Sequence, residues 1–97
     1  MDNRSQLDIV ATDVTGQRGS RWSVPITMLW GAVTSQAVER LDLPTLELAT
    51  HTPIVYHCFE DSAGELLPAE ERVVDVLERY RIELEVKVRI VPELEAA

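Results

Sequence analysis

Cysteine, basic side chains and long apolar runs are all scarce in this chain, and each scarcity removes a class of protein. Cys58 is the only cysteine among 97 residues. That excludes an internal disulfide and any site built from several thiolates, and it fits a reducing compartment. Lysine and arginine together number 9 against 17 aspartates and glutamates, a formal charge of −8 at pH 7. Such a surface repels a phosphate backbone and anionic lipid alike, so nucleic acid is not an expected partner. No apolar run approaches the roughly 20 residues that cross a bilayer, so no membrane insertion is expected. Met1 to Gln6 is polar and runs straight into an alternating segment, without a basic stretch followed by an apolar one. No secretion signal is read there, and the expected location is cytoplasmic. Internal repeats and low-complexity tracts are absent as well.

What is present suits one folded unit. An apolar share of 45% mixed with 27% charged residues is ordinary globular composition, and a chain of this length buries enough surface to fold unaided. The expected organisation is a flexible N-terminus over 1–6, one domain over 7–92 and a flexible tail over 93–97.

Leu7 to Val14 alternates with period two and reads as a first strand. The segment from Thr15 to Ser20 holds Gly16 and Gly19, which are expected to supply the positive φ angles of a hairpin connection. Arg21 to Ile26 places Trp22, Val24 and Ile26 on one face, and Pro25 marks an edge strand or a strand end. Thr27 is the expected N-cap of a helix running to about Leu41, with Leu29, Val33 and Ala37 along its apolar stripe and Trp30 and Leu41 beside it. Asp42-Leu43-Pro44 ends that helix. Thr45 to Pro53 carries no periodic signal and is read as irregular. Ile54 to Glu60 reads as a third strand, Asp61 to Gly64 as a turn, and Glu65 to Leu67 as a brief fourth strand. Ala69 to Tyr80 holds one or two helical turns. From Glu83 to Val91, Leu84, Val86, Val88 and Ile90 alternate with Glu85, Lys87 and Arg89, the pattern of a strand with one buried and one solvated face; Pro92 stops it.

Little of this supports catalysis. His57 and Cys58 are neighbours on a strand, so they point to opposite faces and cannot share a proton. Cys58 is expected to pack as a small apolar residue. His51 stands in a loop without a ligand cluster, and Glu60-Asp61 and Glu70-Glu71 have no cleft to act in; the latter pair suits the first turn of a helix. No catalytic residue, metal site or cofactor is therefore expected. Trp22 is expected in the core beneath the helix, whereas Trp30 is a candidate interface anchor. The third strand has two fairly apolar sides, Val55, His57 and Phe59 against Tyr56 and Cys58. One must face the helix, and the other, taken as Val55, His57 and Phe59, is the candidate contact surface.

The order of hairpin, helix, two strands, helical turn and final strand, together with the stretch from Tyr56 to Pro68, resembles the ubiquitin-like family over nearly the whole chain. The resemblance implies an α+β β-grasp roll, a mixed sheet of four to five strands packed on one main helix, that acts by binding other proteins. Trp22-Ser23-Val24-Pro25 leading into a helix is similar to the YukD-like and secretion-associated ubiquitin-like proteins of bacterial type VII systems, which implies an adaptor role there. Two departures from the family stand out. The four glycines, Gly16, Gly19, Gly31 and Gly64, are all isolated and none follows the last strand, so the terminal Gly-Gly of modifiers and sulfur carriers is missing and conjugation is not expected. The outward residues Glu83, Glu85, Lys87 and Arg89 put charge where the family's receptors grip an apolar patch. Protein partners, including further copies of the chain, are the expected ligands. A regulatory subunit of a multicomponent enzyme such as an oxygenase is the competing reading, and a diverged modifier acting through a different terminus or joined through Lys87, the only lysine, a third.

Overall fold

The computed structural model describes residues 5–80 and 85–93. Period-two alternation produces the first two strands, β1 (Gln6–Thr12) and β2 (Gly19–Pro25), an antiparallel hairpin in register from Gln6↔Pro25 to Thr12↔Gly19. Asp13 organises the connection. Its N–H donates to Arg18 O at 3.2 Å, its carbonyl accepts the Gly16 N–H at 3.1 Å and its carboxylate accepts the Thr15 hydroxyl at 2.9 Å. Gly16 sits at φ +73°, a left-handed conformation that glycine adopts without a steric penalty. Gly19 does not share that role, because it is already the first residue of β2. Gln6, expected in the N-terminal segment, pairs with Pro25, and Ser5 O accepts the Ile26 N–H at 3.0 Å.

The main helix, α1 (Trp30–Arg40), starts three residues later than its expected cap. Leu29, not Thr27, is the N-cap, in extended geometry and with no side-chain hydrogen bond. A second chain segment supplies the missing acceptors: Trp30 N–H donates to Glu71 O at 2.8 Å and Gly31 N–H to Ala69 O at 3.0 Å. The service is returned at α2 (Val73–Tyr80), where Val73 and Val74 N–H donate to Met28 O and Ile26 O, each at 2.9 Å. Two helix N-termini thus satisfy each other's orphan donors through backbone carbonyls, around an isolated Leu29↔Arg72 bridge, and the Asp75 carboxylate adds a side-chain acceptor for the Arg72 N–H at 3.2 Å. Gly31 permits the approach, since a Cβ there would lie 3.1 Å from the Ala69 Cβ and 3.2 Å from its carbonyl oxygen.

At its other end α1 closes in a left-handed cap. Asp42 has φ +53°, its N–H donates to Glu39 O at 3.1 Å, and the Leu43 N–H reaches back to Val38 O at 3.0 Å. The Arg18 guanidinium donates to Leu41 O at 3.1 Å and Asp42 O at 2.7 Å, placing a cation from the β1–β2 loop on the helix's negative end.

Three further strands, β3 (Tyr56–Glu60), β4 (Leu66–Leu67) and β5 (Glu85–Pro92), complete a mixed sheet of order β2-β1-β5-β3-β4. β5 lies parallel to β1 and antiparallel to β3. Glu93, expected in the tail, continues this ladder with an N–H bond to Val55 O at 2.7 Å. Leu84 and Glu83, expected on the two faces of β5, lie outside the described residues.

The alternating residues Leu7, Ile9 and Ala11, Trp22 and Val24, and Val86, Val88 and Ile90 face the helices, with Cys58 and Leu67 from β3 and β4. α1 answers with Trp30, Val33, Ala37 and Leu41, and α2 with Val73 and Val76. The stripe on α1 is therefore led by Trp30, while Leu29, expected within it, is exposed in the cap. Trp22 is buried as expected, its indole N–H donating to Gln36 Oε1 at 2.9 Å with the Arg40 guanidinium 4.9 Å above its ring. The 45–53 segment, read as irregular, is an ordered excursion closed by a Leu46↔Pro53 bridge and by the Glu47 N–H bond to Thr52 O at 2.9 Å. His51 holds φ +58° within it.

Candidate functional site

Strand register decides which residues of β3 face outward. Cys58 pairs with Ile90 and Leu67, all three in the core, so its neighbours His57 and Phe59 point to the other face. There Phe59 is paired with Leu66 on one side and Arg89 on the other, and His57 with Val91. Val55 and Leu66 are about half exposed, at 50% and 48%, and Phe59 and Val91 are partly covered. Val55, His57 and Phe59 therefore share one outward surface with Leu66 and Val91. The last two were missed by sequence reading because their faces depend on pairing across strands. Phe59, Gly64, Arg89 and Val91 also border a depression of about 250 Å³ in this surface.

Trp30 is not part of it. Its side chain is fully buried, 0% exposed, on the opposite side of the sheet. As the first residue of α1 it lies under the crossing of the two helix N-termini, where a large ring fills the space. Among the described residues its indole N–H has no hydrogen-bond partner, an arrangement that the burial of the ring outweighs.

Charges frame the apolar surface. Arg89 Nη2 is 3.1 Å from Asp61 Oδ1, and His57 Nε2 is 3.5 Å from Glu93 Oε1. Further along the sheet, Arg21 bridges Asp8 at 3.0 Å and Glu85 at 2.7 Å, and the Asp8 carboxyl is held below its usual range by the Ser23 hydroxyl and by Arg21. The outer face is thus ionic over β2, β1 and the start of β5, and apolar over β3, β4 and the end of β5. The charge expected on the outward side of the last strand is found at Glu85, Lys87 and Arg89, but Val91 lies beyond it and restores apolar character at that end.

Two polar groups beside the patch are structural. Glu60 is 6% exposed. Burial pushes its carboxyl upward, but the Ser62 hydroxyl and the N–H groups of Ala63 and Ser62 outweigh this and leave it below the ordinary carboxylate value. Those donors lie at 2.6 to 3.1 Å and tie the β3–β4 turn to the strand. Burial drives the Cys58 thiol up to about 12, against a weak opposing bond from Thr34. It is a protonated packing group at neutral pH, not a nucleophile.

No protein-family model matches the chain, and no curated protein matches it. Solved structures do. A designed protein based on ubiquitin aligns over 97% of this chain and 96% of its own at 15% identity, with a TM-score of 0.67. ATG8 of Trypanosoma brucei aligns over 96% of this chain and 78% of its own at 17% identity and a TM-score of 0.66. The ubiquitin of Caldiarchaeum subterraneum aligns over 95% and 99% at 15% identity and a TM-score of 0.62. At these identities the likeness is one of fold. The chain has the ubiquitin-like β-grasp fold, a five-stranded mixed sheet with a helix packed on it. No helix among the described residues is long and apolar enough to cross a membrane.

Proposed function

We propose that this chain is a non-catalytic ubiquitin-like interaction module that contributes a binding surface to a larger assembly. The observation that carries this reading is the outward cluster of Val55, Phe59, Leu66 and Val91, apolar side chains left partly covered around the His57 imidazole, on a sheet face whose other half is neutralised by ion pairs. Apolar surface concentrated in one place and rimmed by polar groups is the usual form of a protein contact site. Affinity would come from covering this patch, with Phe59 as the largest anchor. An accessory role in a bacterial type VII secretion system is the favoured setting, supported by the likeness of Trp22-Ser23-Val24-Pro25 and the following helix to the small ubiquitin-like proteins of those systems. A subunit of an oxygenase-type complex is the alternative.

Affinity capture with the tagged full chain and with a Phe59→Ser, Leu66→Ser double variant, followed by mass spectrometry, tests both levels. The native chain is expected to retain a stoichiometric partner that the variant loses. Equal retention by the two would remove the patch as the contact site. The identity of the partner, a secretion component or a hydroxylase subunit, decides the setting.

A further inference from the structure

The two edges of β3 are not equally occupied. Glu93 N–H donates to Val55 O at 2.7 Å and Asp61 N–H to Lys87 O at 2.9 Å. In an antiparallel ladder this makes 55, 57, 59 and 61 the positions whose backbone groups point at β5. The alternate positions, 56, 58 and 60, then direct their N–H and C=O away from β5. Pro92 fits this phase, because it stands opposite Tyr56 where no N–H is needed. On the far side, Cys58 meets Leu67, and Glu60 N–H donates to Glu65 O at 2.8 Å. Tyr56 meets nothing: continuing the register would bring it opposite Ala69, but Pro68 leaves the ladder and the Ala69 carbonyl is committed to Gly31 in the α1 cap. Among the described residues, no backbone group takes up the Tyr56 N–H and C=O.

In place of a continuing strand there is a groove of about 610 Å³ between β3 and α1, bordered by Gly31, Thr34, Ser35, Val38, Tyr56 and Leu67. Its walls are mostly apolar, with the His57 imidazole at the border. Glu70, an exposed carboxylate without an ion-pair partner among the described residues, stands at its margin. The Tyr56 ring is fixed by its hydroxyl, which donates to Pro44 O at 2.6 Å, so the groove is held open by packed elements.

We infer that this groove receives an extended peptide segment with alternating apolar residues and a lysine or arginine, added to β3 at Tyr56 in line with β4. The open Tyr56 donor and acceptor give the strand its register, alternate side chains enter the groove, and Glu70 with the chain's net negative charge selects a cation over an anion. His57 and Leu66 border both this groove and the outward patch, whereas Phe59 does not line the groove, so a change at Phe59 separates the two sites.

The test selects a phage-displayed library of random dodecapeptides on the intact chain, then measures the enriched synthetic peptides by fluorescence anisotropy and by amide hydrogen exchange. Enriched sequences are expected to alternate apolar residues and carry a basic one, and to slow exchange of the Tyr56 amide by about tenfold or more, as a new backbone hydrogen bond does. Ser35→Trp, an exposed α1 position that would fill the groove without touching the core, should weaken binding by about tenfold or more, and Glu70→Lys by about fivefold, the size of one surface charge pair. Phe59→Ser should leave it unchanged. Peptides without a basic bias, an unprotected Tyr56 amide, or loss of binding with Phe59→Ser instead of Ser35→Trp would each overturn the assignment. So would a dimer in light scattering that Ser35→Trp dissociates, since a second copy would then be the occupant.

Discussion

The two faces of the one sheet show what each demands of the same alternating strands. The inner face is continuous: Ile9, Val24, Val88, Ile90 and Cys58 meet two helices, and among the described residues the one buried charged group is Glu60, at the end of β3. The outer face is divided. Over β2 and β1, Asp8, Arg21, Ser23 and Glu85 tie one another into an ion-pair and hydrogen-bond network, which leaves little for a partner to gain by covering them. Over β3 and β4, Val55, Phe59 and Leu66 have no such cover. Burial makes the inner face a matter of stability; incomplete burial makes one end of the outer face a matter of recognition.

The largest effect should come from the inner face. Trp30→Ala is expected to cost about 3–5 kcal/mol in chemical denaturation, the usual range for emptying a large aromatic site. Trp30→Phe should cost clearly less, because it removes an indole N–H that has no partner among the described residues along with part of the ring. If the two variants were equally destabilised, the orphan N–H would be of no consequence.

Glu60 tests the boundary between the faces. Glu60→Ala should cost about 1–3 kcal/mol by releasing the donors of Ser62 and Ala63. Because its carboxyl ionises at lower pH in the folded than in the unfolded chain, this contribution is complete above the ordinary value of 4.5 and is lost as pH falls below it through the folded value. The native and Glu60→Ala stability curves should therefore converge toward acid pH. Parallel curves would show that the carboxylate is not the source.

Smaller and of opposite sign, Asp42→Gly should raise stability by about 0.5–1 kcal/mol, since a left-handed backbone position suits glycine better than aspartate. On the outer face, Val55→Ser should change the unfolding free energy by less than about 0.5 kcal/mol in chemical denaturation, as befits a half-exposed side chain away from the core. A substantial loss there would mean that this surface is structural, and the contrast between the two faces would fail.

The strands were legible where one face is buried throughout. Val86, Val88 and Ile90 alternate cleanly because each intervening residue meets water, and the position of Trp22 on the core face followed from the same rule. The start of α1 was not legible. A side-chain cap leaves a serine, threonine, aspartate or asparagine at the N-cap, but here the acceptors are the carbonyls of Ala69 and Glu71, which any residue carries. Thr27 was therefore an attractive but wrong cap, and Trp30 became a core residue once the helix began at it. The excursion at 45–53 was unreadable for a related reason, as its order rests on backbone bonds and one left-handed histidine.

The sequence by itself determined the element order, the alternation that separates core from solvent on each strand, and the outward direction of His57 relative to Cys58, because these are local consequences of backbone periodicity. Only the tertiary structure decided which side of β3 the helix covers, which strand lies beside which, and hence that Leu66 and Val91 join Phe59 while Tyr56 is left with an open edge. Those outcomes depend on pairing between residues far apart in the chain, and a one-residue change of register would have exchanged the two faces.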